Sequence, residues 1–180
     1  MRKLFPTMVL LALLAGCGNS EQPEQQTEAQ TEQTEQKSTE WYQDDLSQPV
    51  EKVGVNNAQE ILKSAGLTAA KVSDSTDNKG EPKKIYKLGD SSLSAQLEHS
   101  KNEIIIAWYQ AEDTDSGIEL SQKSVKDAYL LGRAVLGADG VDIIRRISRG
   151  GFYKQEPFND FILTGNCFSG LCSVNIRVNQ

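Results

Sequence analysis

The sequence predicts an α+β domain over residues 41 to 180: a single domain, mainly antiparallel sheet packed with about three helices, in the order α-ββββ-αα-ββ. Three observations carry this. Candidate strands come in runs, with two helices side by side between them, instead of the strand–helix alternation that a parallel sheet needs. The last candidate strand, residues 171 to 178, alternates Val174, Ile176 and Val178 with Ser173, Asn175 and Arg177, as an antiparallel strand covered on one face does. A chain of about 140 residues can also close one self-standing core.

The domain starts near Trp41 and Tyr42, where a long polar tract ends. Residues 57 to 65 form a short helix with Ala58, Ile61, Leu62 and Ala65 on one face, an asparagine cap at position 56 or 57, and Gly66 to end it. Strands follow at 69 to 73 and 84 to 88, around the turn residues Asp77-Asn78-Lys79-Gly80. Residues 92 to 98 place Leu93, Ala95 and Leu97 on one side. Residues 103 to 111 (EIIIAWYQA) are the most apolar strand and belong at the centre of the sheet, joined to the preceding strand by His99-Ser100-Lys101-Asn102.

An acidic loop, residues 112 to 117, leads to a helix capped by Ser121 and closed by Gly137. Val125, Ala128, Tyr129, Gly132, Val135 and Leu136 recur at helical spacing. Gly132 costs that helix about 1 kcal/mol relative to alanine, so its place on the apolar face predicts close approach to another backbone. Asp139 caps a second helix, 140 to 148, with Val141, Ile144 and Ile147 inward and Gly150-Gly151 as its stop. Strands 160 to 168 and 171 to 178 complete the chain. The hairpin between them brings Cys167 and Cys172 face to face.

Net charge is −6 with a pI near 4.9. Nucleic-acid binding needs a basic surface that displaces counterions, so that class of partner is excluded. Of the three cysteines, Cys17 falls in a targeting segment, which leaves Cys167 and Cys172 as one pair.

Residues 1 to 16 read as a signal peptide: Arg2 and Lys3, then an apolar run from Leu4 to Leu14, then small residues. The run is shorter than the roughly 20 residues of a spanning helix. The four residues Leu14-Ala15-Gly16-Cys17 resemble the lipobox of bacterial lipoproteins. That resemblance covers residues 1 to 17 only. It implies cleavage before Cys17 and acylation of that cysteine, with two or three chains giving stable attachment. Gly18, where an aspartate would imply retention at the inner membrane, implies an outer-membrane address in a Gram-negative host.

Residues 17 to 40 join the acylated cysteine to the domain. From 18 onward the segment is a Gln/Glu/Thr tract with six glutamates, one lysine and no aromatic residue. Such a tract cannot bury enough surface to fold. As a flexible tether it reaches roughly 25–30 Å.

Chemistry is sparse in the folded part. Export to an oxidising compartment predicts a structural Cys167–Cys172 disulfide; the spacing is not the Cys-x-x-Cys of redox sites. His99, the one histidine, has no Gly-x-Ser-x-Gly elbow or free cysteine to serve. The segment Glu112 to Gly117 fits no register of a calcium-binding EF-hand loop. Arg145, Arg146 and Arg149, with Arg133 and Lys154, form the only basic cluster, a candidate partner-binding surface for phosphate or carboxylate groups. Among nearby aromatics, Phe152 and Trp108 are expected in the core. The expectation is a membrane-tethered envelope lipoprotein of non-enzymatic type, without cofactor or metal, that binds a protein or a cell-envelope component. A hydrolase or lyase with a site at Glu112 to Glu119, or a small-ligand carrier with an apolar cavity between sheet and helices, are the alternatives.

Overall fold

The computed structural model describes residues 49–110 and 115–179. Cys17, the signal peptide, the tether, the domain start at Trp41 and the acidic residues 112 to 114 lie outside the described residues. The element order is α1 (Ala58–Ser64), β1 (Lys71–Thr76), β2 (Pro82–Lys87), β3 (Gln96–His99), β4 (Glu103–Tyr109), α2 (Asp115–Leu136), α3 (Ala138–Ser148), β5 (Tyr153–Phe158), β6 (Phe161–Phe168) and β7 (Leu171–Val178). The expected α+β class holds. One strand, β5, is additional to the elements expected from sequence.

All seven strands form one sheet in the order β1-β2-β3-β4-β7-β6-β5, with every neighbouring pair antiparallel. The apolar β4 lies at the centre because Ile104, Ile106 and Trp108 need cover on one face and pairing on both edges. Helix α2 packs over β4, α3 over β6 and β7, and α1 against α2. Leu97, Ile104, Ile106, Trp108, Leu163, Cys172, Val174 and Ile176 point to the helices and are buried. Trp108 spends its one donor there: Nε1 donates to Ser148 Oγ at 3.1 Å.

Local chemistry sets the element ends. Asn57 caps α1, its Oδ1 accepting from the Gln59 amide at 2.9 Å. Gly66 and Gly150 both take positive φ just past a helix. In each case the paired Schellman hydrogen bonds form, Leu67 N–H to Leu62 O and Gly66 N–H to Lys63 O in α1, Gly151 N–H to Arg146 O and Gly150 N–H to Ile147 O in α3. The Asp77 carboxylate accepts from the amides of Lys79 and Glu81 and closes the β1–β2 turn.

Two capping assignments are corrected. Helix α2 begins at Asp115, so Ser121 is not its cap but a fully buried residue inside it. The cap of α3 is Gly137, without a side-chain bond, and Asp139 lies in the first turn, where its charge still favours the helix dipole. The third strand is shorter than expected. Residues 91 to 94 form a turn in which Ser94 N–H bonds Ser91 O.

Candidate binding face

Strand parity sorts the sheet into two faces. The face turned from the helices carries no described helix. Across its centre the registers align residues in rows. One row runs Tyr109, Leu171, Phe168 over β4, β7 and β6; the next Ala107, Ser173, Asn166; the next Ile105, Asn175, Thr164; the last Glu103, Arg177, Ile162.

The first row is apolar and open. Phe168 is 79% exposed and Leu171 60%. They flank a two-residue turn, Ser169-Gly170, in which both residues have positive φ (48° and 79°). That geometry matches the right-handed twist of a hairpin. It also brings the Gly170 carbonyl to the Gln110 amide at 2.7 Å, tying the turn to the end of β4. One residue further in, Cys167 and Cys172 are direct cross-strand partners on the opposite, helix-facing side, and they form a disulfide with Cα atoms 3.9 Å apart. Covalent pinning inside and two large apolar side chains outside are thus consequences of one register.

The middle of the face is polar and internally paired. Lys83 Nζ meets Glu98 Oε2 at 2.6 Å, with only 17% and 13% of these side chains exposed, and Gln96 Nε2 donates to Glu98 Oε1 at 2.7 Å. Asn175 Nδ2 donates to Glu103 Oε1 at 2.8 Å. At the far end is a cleft of about 260 Å³ lined by Lys79, Asn102, Ile162, Arg177, Val178 and Asn179. A smaller hollow of about 50 Å³ adjoins it, sharing Ile162 and Arg177 and adding Gln155, Thr164 and Asn175. Gln155 reaches it because β5 carries a bulge there, between Lys154 and Glu156, with Gln155 at φ 53°.

The arginine cluster is dispersed. Arg145 donates to Asp142 at 2.6 Å, one turn back on α3. Arg146 stacks over the Tyr153 ring at 4.5 Å, and Arg149 is the exposed C-cap. Arg133 is buried in α2, and Lys154 is exposed on β5. Phe152 is 62% exposed beside Arg146 and Tyr153, which corrects its expected burial, whereas Trp108 is buried as expected. His99 ends β3, half-buried, with Nε2 3.1 Å from the Val55 carbonyl. Of the acidic segment, Glu119 is an exposed residue of α2. Among the described residues no three His, Cys, Asp or Glu side chains group as metal ligands.

Sequence reasoning did not single out Phe168, Leu171, Lys79 or Arg177. The parity of the cysteine hairpin held the signal for the first two: if positions 167 and 172 face the core, 168 and 171 face away. No family model, curated protein or solved structure matches the chain.

Proposed function

We propose that the chain is an envelope lipoprotein of non-enzymatic type, acylated at Cys17 and addressed to the outer membrane in a Gram-negative host, whose domain binds an envelope protein through the sheet face turned away from its described helices. The observation that carries the binding reading is the apolar row Tyr109, Leu171, Phe168. Scattered surface leucines need no explanation, but large apolar side chains contiguous across three strands do. Phe168 and Leu171 on a tight hairpin, with Tyr109 next to Leu171 on β4, suit an interface anchor, since little side-chain entropy is lost on docking. The disulfide beneath the row supports the same reading by holding its spacing. Arg145, Arg146 and Arg149 lie on the helical layer instead, and two of them are already engaged within the chain.

Two experiments test this. A photo-crosslinking amino acid at position 168, in intact cells, is expected to yield a discrete adduct that the same residue at position 142 on α3 does not. Equal labelling at both positions overturns the binding face. Cys17→Ser is expected to abolish incorporation of labelled palmitate and release the protein to the soluble fraction. Retention in the membrane overturns the anchor.

A further inference from the structure

The geometry points to the cleft between Lys79 and Arg177 as a binding site for an anion-bearing sugar, a saccharide unit carrying phosphate or carboxylate. The choice of ligand rests on the envelope placement; the site itself does not involve the Phe168 row. Along β7, Leu171 of that row and Arg177 of the cleft lie six residues apart, about 20 Å.

The lining residues argue for this class. The chain as a whole is acidic, with 25 carboxylate side chains against 19 basic ones. Yet the six residues of the larger cleft include two cations and no acid. They come from separate elements, Lys79 from the β1–β2 turn and Arg177 from β7, so the concentration of positive charge is made by the fold. Two carboxylates stand nearby, Glu103 opposite Arg177, with Oε1 accepting from the Asn175 amide, and Asp77, with Oδ1 accepting from the Lys79 backbone amide; neither lines the cleft. Asn102, Asn179 and, in the adjoining hollow, Gln155 and Asn175 surround the cations with amides. Amides both donate and accept, which matches ring hydroxyls; a guanidinium and an ammonium match the anion. Ile162, in both hollows, offers an apolar floor to a ring face. A volume of about 260 Å³ suits one sugar unit and is small for a larger ligand.

The test is amide-shift NMR titration of the mature chain in zwitterionic detergent with glucose 6-phosphate, glucuronate, glucose and inorganic phosphate. Glucose 6-phosphate or glucuronate is expected to shift Asn102, Ile162, Arg177 and Asn179 with a Kd of about 1 mM or tighter. Glucose should leave them in place, and phosphate should bind more weakly. Lys79→Gln and Arg177→Gln should each weaken binding about tenfold with the remaining spectrum unchanged. Absence of shifts, equal shifts with glucose, or unchanged affinity in both variants overturns the site. Phosphate binding as tightly as the phosphosugar overturns the sugar. Shifts seen only when phosphatidylglycerol is mixed into the detergent micelles make the ligand a lipid surface and overturn the proposal. Photo-crosslinking at position 168 is read independently, so either inference can fail alone.

Discussion

The Cβ of an alanine at position 140 would land on the carbonyl carbon and oxygen of Gly132, because α2 and α3 cross there backbone against backbone. The reverse placement is looser. A Cβ on Gly132 would meet Ile144 Cδ1 at 2.7 Å and Gly140 O at 3.0 Å. The end of an isoleucine can rotate; a peptide carbonyl cannot. Gly140→Ala is therefore expected to cost about 3 kcal/mol or more, the upper range for overpacking a core. Gly132→Ala should cost about 1–2 kcal/mol, since the gain in helix propensity offsets part of the clash. Urea unfolding of the two variants gives the order, and stability no lower than the native chain's in both would show that the crossing is not in contact.

Trp108 is held by more than its area. Ser148→Ala leaves the indole N–H buried without its acceptor, with an expected loss of about 1–2 kcal/mol. Trp108→Phe removes the donor as well as part of the ring, so a double variant should cost less than the sum of the two singles. A thermodynamic cycle from four unfolding curves measures that coupling. Strict additivity would mean the bond contributes nothing.

How far these contacts could be foreseen follows from how local their causes are. Periodicity was enough to place Gly132 on the inner face of its helix and to demand a neighbouring backbone, but the neighbour, Gly140, comes from the next helix. The alternation in β7 and the apolar run in β4 carried the sheet. Strand β5 (YKQEPF) escaped because its pattern is broken three ways: a bulge at Gln155, a proline at 157 and little apolar content, features that suit an edge strand. Ser121 reads as a cap because serine before a helical repeat usually is one, and the Asp115-Ser116-Gly117 run ahead of it reads as loop, which hides six further helical positions. The candidate face was less legible. Arg145 and Arg149 share a helix face by spacing, yet the Tyr153 ring that takes Arg146 is set by tertiary packing. The Lys79–Arg177 cleft joins residues 98 positions apart, which no local signal links.

The disulfide closes a short loop, so its removal should cost on the order of 2 kcal/mol in the loop-entropy account. Cys167→Ala with Cys172→Ala is expected to lower global stability by about that amount. Hydrogen exchange should rise first at Gln110, whose amide is bonded to the Gly170 carbonyl in the turn. If exchange at Gln110 is unchanged, the register of the hairpin does not depend on the bridge.

Asp127 predicts a pH dependence of unusual sign. Its side chain is 6% exposed on α2, with Oδ2 2.6 Å from Lys123 Nζ. Burial raises its pKa above the ordinary carboxylate value, and the hydrogen bond and charge of Lys123, with the charge of Lys126, only partly oppose this. As pH climbs through the ordinary value, the unfolded chain releases this proton first, while the folded chain holds it to a higher pH. The folded state then binds more protons than the unfolded one, so stability falls across that window. The contribution is fully present below the ordinary value and lost as pH rises through the folded one. Asp127→Asn removes the titration. It also removes an ion pair whose lysine is 60% exposed, an interaction of the modest kind that solvent screens. The stability of the variant relative to the native chain should therefore become more favourable between about pH 3 and pH 7. Urea unfolding at the two pH values measures it. The opposite trend would show that the pairing with Lys123 outweighs burial, and that this carboxylate strengthens the fold in its charged form.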